Sequence, residues 1–265
     1  MARQARITFI HESYRTGGID WPRAAESLDA IGIRACVGFD VDDLYYEHID
    51  KAAEHELDFF TVCLPSASIN PIEQADFYFE LPEVASRPQC LDIEPQWRGG
   101  PMVSEYQARK NFERLAERNQ FERSAWYYSN YASTQRLGFP QWIKDLFVYW
   151  AEYPYDIFPL FYSKFERYLE RNPWKIPKWA GRAGITPGIH QLSEKGDGRY
   201  YFTNEYTGDP NFPRGMKNCT LGLSLVDVQE LKSQWGGGEG PPPIEQRVDW
   251  LEQRVGILSG FHGLK

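Results

Sequence analysis

The segment QCLDIE (residues 89–94) is a short apolar run that ends in two carboxylates separated by one residue. Side chains two residues apart lie on the same face of a β-strand, so Cys90, Asp92 and Glu94 share one face of the predicted strand. In a parallel barrel that face opens, at the carboxyl end of the strand, into the active-site mouth. Two solvated acids that cap a strand end are the alternative, and the segment alone leaves both open.

Around this segment, short β-rich runs alternate with amphipathic segments from the start of the chain to about residue 128. This alternation predicts βα units and a parallel sheet. The intervening segments carry apolar residues at helical spacing, and Ser104 and either Asp42 or Asp43 are predicted helix N-caps. The predicted strands are RITFI (6–10), IRACVGF (33–39), DFFTVCL (58–64), QCLDIE (89–94) and SAWYYS (124–129).

Beyond residue 145 the pattern becomes irregular and rich in Pro, Trp, Tyr and Gly, with one weak helical stretch around SKFERYLER. Strands are predicted at LFVYWAEY (146–153), GIHQLS (188–193) and LGLSLV (221–226), the last followed by a short helix from Asp227. Five regular βα units followed by three strands with irregular loops predict an α/β fold, an irregular TIM-like barrel. An open doubly wound sheet is the alternative, which the lack of a glycine-rich phosphate loop after the first strand disfavours.

The C-terminal part of the chain has a different composition. GGGEGPPP (236–243) predicts a linker that is flexible at first and then stiff. Residues 244–258 carry apolar side chains at alternating steps of four and three, a short heptad seam. The predicted organisation is a barrel over residues 1–235, a linker over 236–243 and a coiled-coil helix over 244–265. Isolated coiled coils this short are marginal, which favours an oligomerisation segment or the start of a longer stalk. A helix folded back onto the barrel is the alternative.

Composition narrows the classes of partner. The net charge of -8 over 265 residues argues against general binding to nucleic acid or to anionic membranes, which needs clustered Lys and Arg. The start MARQARITFI lacks the apolar stretch of a signal peptide, and no apolar run is long enough to insert into a membrane. The four cysteines lie in apolar runs without CxxC spacing, which predicts buried free thiols in a reducing compartment.

Two acids at a barrel mouth perturb each other, because repulsion and partial burial raise the pKa of one and leave the other charged. Glycoside hydrolysis needs this division between a proton donor and a charged carboxylate. A metal site formed by Asp92, Glu94, His190 and Asp227 is the alternative. No HExxH motif or carboxylate-rich loop supports it, so neither a metal nor a cofactor is predicted.

Aromatic residues surround the predicted mouth. WYYSNY (126–131) places Trp126 and Tyr128 on one face of its strand and Tyr127 on the other, and Trp150 and Tyr153 end the next predicted strand. Aromatic faces at a barrel mouth are platforms for sugar rings, although such residues are as often part of the core. His190 and Gln191 end the seventh strand, and Asp227 is predicted either at the mouth or as the N-cap of the last helix.

The order of motifs resembles that of glycoside hydrolase family 25, the Chalaropsis-type muramidases. The resemblance covers about residues 7–235, and it rests on the order and spacing of the motifs, because none of them is specific alone. The motifs are GGIDWPRAAES (17–27), INPIEQADFYF (69–79), CLDIE (90–94), YYSNY (127–131), WAEY (150–153), IHQLS (189–193) and LVDVQEL (225–231).

The resemblance implies a barrel that cleaves the β-1,4 bond between N-acetylmuramic acid and N-acetylglucosamine in peptidoglycan glycan strands. By position, Glu94 would be the general acid. Asp92 would stabilise the oxocarbenium-like centre or orient the acetamido group, and Asp227 would be a supporting carboxylate. The residues expected to contact the sugars are Tyr128, Trp150, Tyr153, His190 and Gln191.

The chain also departs from the family pattern. His11, with Glu12 beside it, stands where the first strand of the family ends in an aspartate. The third strand, TVCLPSA, lacks the tyrosine and histidine of the family, and His190 replaces a tryptophan. We expect His11 and Glu12 to face the substrate. Losing one carboxylate from a group that acts as a unit lowers activity or shifts the substrate.

Three functions follow from these observations. The first is a muramidase encoded by a phage, made in the cytoplasm and acting on the cell wall either after release as an endolysin or as part of a virion. The second is a non-catalytic glycan-binding module of a phage tail, favoured by the departures at His11 and His190. The third is a glycosidase that acts on another polymer, such as a capsule. Assembly into a homo-oligomer or a virion would use residues 244–258.

Overall fold

The computed structural model describes residues 4–10, 19, 21–95, 100–120, 125–152, 171, 176–193, 219–227, 229 and 231. The strands are β1 (Gln4–Ile10), β2 (Ala30–Val37), β3 (Asp40–Val41), β4 (Phe59–Leu64), β5 (Gln89–Asp92), β6 (Trp126–Asn130), β7 (Val148–Ala151), β8 (Ile189–Ser193) and β9 (Cys219–Asp227). The helices are α1 (Trp21–Ser27), α2 (Tyr45–Glu54), α3 (Pro71–Glu80), α4 (Glu105–Arg118), α5 (Tyr131–Arg136) and α6 (Lys178–Ala183), with a 3₁₀ turn at Gln141–Asp145.

The strands form a closed barrel. They pair in the order β1-β9-β8-β7-β6-β5-β4-β2-β3, and an additional parallel pairing of β1 with β2 closes the ring. The short strand β3 pairs with β2 alone and lies outside the ring. The pairings among β1, β2, β4, β5, β6, β7 and β8 are parallel. The predicted TIM-like barrel and the positions of its eight strands are confirmed.

The direction of the last strand decides where Asp227 lies. β9 runs antiparallel to both of its neighbours, with Cys219 opposite Ile10 and Asp227 opposite Gln4. The carboxyl end of β9 therefore lies at the amino-terminal end of β1, away from the end of the barrel at which the parallel strands finish. Of the two positions predicted for Asp227, the one at the mouth is wrong for this reason, and the one as a helix N-cap stays a prediction.

Aromatic side chains fill the interior of the barrel. The ring centroids of Phe60 and Trp126 are 4.9 Å apart, as are those of Tyr128 and Tyr149, and Phe9 meets Tyr128 edge to face. Gly32 on β2 makes room for them, because a Cβ at this position would lie 2.4 Å from Cζ of Phe60. The lower barrel is therefore a packed core, and the space for chemistry lies above it, at the carboxyl ends of the strands.

The outer faces of the strands pack against the helices, and α4 shows how the sequence sets a helix start. Ser104 caps α4 in a reciprocal capping box with Gln107, as its position predicts. Neither Asp42 nor Asp43 caps α2, because the N-cap is Leu44 and Asp42 pairs with Arg34 instead. The cysteine prediction is confirmed at Cys36, Cys63 and Cys90, which are buried free thiols.

The predicted stretch SKFERYLER, the linker 236–243 and the heptad segment 244–265 lie outside the described residues. Within the described residues, none of the helices is long and apolar enough to cross a membrane.

Candidate active site

The carboxyl end of β5 carries the two acids. The ladder between β5 and β6 continues past Asp92, because the amide of Ile93 donates to the backbone oxygen of Tyr128 at 2.8 Å. The hydroxyl of Ser129 then donates to the backbone oxygen of Ile93 at 2.7 Å. Backbone and side-chain bonds from β6 thus hold the segment 92–94 as an extension of the strand, which places Asp92 and Glu94 on the same side, as predicted.

Asp92 lies in an environment that opposes its ionisation. Its Oδ1 is buried and has no hydrogen-bond partner among the described residues. Burial raises the pKa of this carboxyl well above its usual range, and the charge of Glu94 raises it further, whereas the Arg34 guanidinium acts in the opposite direction. A buried carboxylate oxygen without a donor is costly, so this atom is suited to meet a donor or a positive charge that a ligand brings.

Glu94 has a defined partner on the neighbouring strand. The side-chain amide Nδ2 of Asn130, the last residue of β6, donates to Oε1 of Glu94 at 2.5 Å. The side-chain oxygen of Asn130 accepts from the amide of Ser133 and caps α5. One carboxylate oxygen of Glu94 is therefore held in a fixed position at the carboxyl end of the barrel.

Tyr128 and Gln191 lie on the inner face of the barrel, near the carboxyl ends of their strands. Tyr128 is opposite Asp92 in the β5–β6 register, and its hydroxyl donates to Oε1 of Gln191 on β8. Both side chains are buried. The structure thus places Asp92, Glu94, Tyr128 and Gln191 from the predicted set on the inner face of β5, β6 and β8, toward the carboxyl ends of these strands.

A partly buried ion pair joins β2 to the residue that follows β3. The Arg34 guanidinium contacts Oδ2 of Asp42 through Nε at 3.0 Å and Nη2 at 2.8 Å. Arg34 also acts electrostatically on Asp92, so it interacts with a carboxylate on each side. Arg34 is not among the predicted site residues, since no local pattern shows that a charged residue of an apolar strand interacts with a distant acid.

Trp150 and His190 face the wrong way for sugar contacts. Trp150 is fully buried in the hydrophobic cluster between the strands and the helices. Its Nε1 donates to the Glu152 carboxylate. His190 pairs in register with Trp150, and its Nε2 lies 2.7 Å from the backbone oxygen of Glu152. Strand alternation places Tyr149, Ala151 and Gln191 inside the barrel and these two residues outside it. The prediction that Trp150 and His190 line a sugar subsite is wrong in this respect.

Other predicted residues cannot be placed in the site. His11, Glu12 and Tyr153 lie outside the described residues. For Asp227 the backbone is described, and its pairing with Gln4 places it at the opposite end of the barrel.

Two further polar residues were not predicted: Asn130, the partner of Glu94, and Glu152, which holds the start of α6. Glu152, next to the end of β7, accepts from the backbone amides of Trp179 and Ala180 at the start of α6. Asn130 carries a recognisable signal, because an asparagine directly before a helical segment is typical of an N-cap. Its second contact, with Glu94, joins residues 36 positions apart and leaves no local pattern.

The arrangement of the described side chains does not support a metal site. Among the residues that the structure describes, no three His, Cys, Asp or Glu side chains are grouped closely enough to hold an ion. The alternative with Asp92, Glu94, His190 and Asp227 as ligands is wrong, because His190 points outward and Asp227 belongs to the far end of the barrel.

Comparison with solved structures identifies the fold. A lysozyme from Streptomyces coelicolor aligns with a TM-score of 0.63 at 16% identity, over 88% of this chain and 98% of its own. A family 25 lysozyme from Aspergillus fumigatus gives 0.59 at 15% identity, over 88% and 99%. The catalytic domain of an endolysin from a bacteriophage of Listeria monocytogenes gives 0.59 at 12% identity, over 89% and 98%.

No protein-family profile and no curated protein matches the sequence itself. The chain has the fold of the glycoside hydrolase family 25 lysozymes, which confirms the fold that the order of motifs predicted.

Proposed function

We propose that this chain is a peptidoglycan glycosidase that hydrolyses the β-1,4 bond between N-acetylmuramic acid and N-acetylglucosamine. The observation that carries the proposal is the pair formed by Asp92 and Glu94, held side by side at the carboxyl end of β5. Structures with the same fold are described as lysozymes, muramidases and an endolysin, which supports the choice of substrate.

Glu94 is the proton donor in this proposal. Its carboxyl gives a proton to the glycosidic oxygen as the bond from that oxygen to C1 breaks, and the leaving sugar departs as an alcohol. Positive charge develops at C1 and on the ring oxygen. A water molecule then adds to C1 and returns its proton to Glu94, so the acid is regenerated and one water is consumed per bond.

Asp92 supports the developing charge. The environment that raises its pKa disfavours a charge on the free protein. A substrate offsets this cost when it brings an acetamido N–H to the buried Oδ1 or places a positive centre beside it. The interaction strengthens as the positive charge develops, so Asp92 favours the transition state over the bound substrate.

The experiment is a digestion of purified sacculi followed by borohydride reduction of the products and mass spectrometry. Reduced N-acetylmuramic acid at the new ends supports a muramidase, whereas reduced N-acetylglucosamine places the cut at the other bond and contradicts the proposal. Binding to sacculi without new reducing ends would favour the non-catalytic glycan-binding module. Cleavage confined to other polymers in a glycan panel would favour the third function.

We further propose that the cell wall is the site of action, in an endolysin or a virion component, and that residues 244–258 join copies of the chain or attach it to a larger assembly. The heptad spacing of those residues supports this, with residues 236–243 as the linker. Light scattering should give an oligomeric mass for the chain and a monomeric mass for a variant with charged residues at the seam positions. Equal masses contradict the oligomer.

A further inference from the structure

We propose that Asn130 is a positioning residue for the general acid, which fixes the Glu94 carboxyl so that Oε2 carries the transferable proton. The inference rests on the proposed function and deepens it. Its basis is the 2.5 Å hydrogen bond from Nδ2 of Asn130 to Oε1 of Glu94, at the junction of β6 with α5.

The orientation of the Asn130 amide is set by a second bond. The backbone amide of Ser133 donates to Oδ1 of Asn130 at 2.9 Å, in the usual geometry of a helix N-cap. A flipped amide would direct its NH₂ group toward the donor of Ser133 and its oxygen toward Glu94, which loses both bonds. The start of α5 therefore determines that Asn130 presents a donor to Glu94.

The backbone around this contact is also fixed. The bonds from Ile93 to Tyr128 and from Ser129 to Ile93 hold the end of β5 against the end of β6. Because these bonds immediately flank the Asn130 contact, the distance between Asn130 and Glu94 does not depend on a mobile loop. This is the kind of supporting contact that places a catalytic group to within a fraction of an ångström.

The bond has a chemical consequence for the proton. An oxygen that accepts an N–H bond is best kept as the unprotonated oxygen of the carboxyl, because protonation weakens it as an acceptor. The proton of neutral Glu94 is therefore placed on Oε2. When Glu94 is charged the same bond remains and becomes charge-assisted, so the carboxyl can change from acid to base without moving.

Several groups near Glu94 bear on its titration. Asp92, at the end of β5, interacts electrostatically with Glu94. Tyr127 of β6 interacts electrostatically with both acids. Arg34 of β2 acts on Asp92, and Asp42 is its ion-pair partner. None of these groups changes when Asn130 is replaced, so a shift in the titration of Glu94 arises from the change at position 130.

The decisive variant is Asn130→Asp, which keeps the oxygen that caps α5, removes the donor and adds a negative charge. We expect kcat to fall about 10- to 100-fold with KM nearly unchanged, because the acid loses its fixed position. We also expect the alkaline limb of the pH profile of kcat to move to higher pH, because both changes favour the proton on Glu94. Asn70→Asp is the control, since Asn70 also caps a helix through its side-chain oxygen, which accepts from the amide of Ile72 at the start of α3.

Loss of activity without a shift of the alkaline limb would mean a merely structural role and would overturn the inference, as would an unchanged kcat. If the wild type shows no turnover on sacculi, the proposed function fails separately. The positioning role is then tested by NMR titration of ¹³C-labelled glutamate, with the Glu94 signal assigned through Glu94→Gln. A higher titration midpoint in Asn130→Asp than in the wild type supports the role, and identical midpoints overturn it.

Discussion

Nε2 of His190 lies 2.7 Å from the backbone oxygen of Glu152, on the outer face of the barrel wall. Because the oxygen can only accept, the imidazole donates its Nε2 proton to it. Burial lowers the pKa of His190 to about 4. The contact joins the ends of β7 and β8, and Glu152 in turn holds the start of α6.

Because the folded chain keeps His190 neutral, we expect the protein to lose stability in mild acid. Between pH 6.5 and about 4 the unfolded chain binds a proton at His190 that the folded chain does not, so stability falls as pH falls through this window. The shift corresponds to about 3 kcal/mol. Urea unfolding at pH 7.5 and 4.5 should show this loss in the wild type and less of it in His190→Gln. Equal losses in the two proteins would contradict a buried neutral His190.

Asp92 has the opposite pH dependence. Its raised folded pKa means that the folded chain holds a proton which the unfolded chain releases, so its contribution to stability is lost as pH rises through the folded pKa. We expect Asp92→Asn to be more stable than the wild type at pH 8, by about 1–2 kcal/mol, and to lose activity on sacculi. Lower stability of Asp92→Asn at that pH, measured by urea unfolding, would show that the carboxylate is well solvated or paired.

Trp150 and Tyr128 should separate stability from substrate binding. Trp150→Phe removes a fully buried indole and its bond to Glu152, so we expect a loss of about 1–3 kcal/mol in stability with KM unchanged. Tyr128→Phe removes a hydroxyl next to the acids, so we expect kcat/KM to fall about tenfold. A raised KM for a well-folded Trp150→Phe would show that Trp150 contributes to sugar binding, which contradicts its placement outside the site.

The barrel interior gives a packing prediction. In Gly32→Ala the new methyl group would meet the Phe60 ring at 2.4 Å, and we expect a loss of about 1–3 kcal/mol. Gly181→Ala is the control, because Gly181 lies on α6 with its nearest neighbour at 3.8 Å, and alanine there should stabilise the chain by about 0.5–1 kcal/mol. Thermal unfolding of both variants is the measurement, and equal effects would show that Phe60 does not fill the space beside Gly32.

The strands could be predicted because an apolar run between turn residues is a local property. The direction of β9 could not, since its alternation is the same whether it runs up or down the barrel. The prediction for Trp150 is wrong because it rests on aromatic content alone, whereas strand alternation puts Trp150 on the opposite face from Tyr149 and Ala151. The contact of Asn130 with Glu94 depends on two strand ends meeting in space, and no spacing in the sequence encodes it.

The central claim is that Glu94 is the proton donor of a peptidoglycan glycosidase. The most direct test compares the release of reducing ends from purified sacculi by the wild type and by Glu94→Gln, with circular dichroism and thermal unfolding to show that both are folded. We expect release by the wild type and a reduction of at least about 100-fold in Glu94→Gln, in line with the loss of a general acid. Equal release by the two proteins, or none by the folded wild type, would contradict the claim.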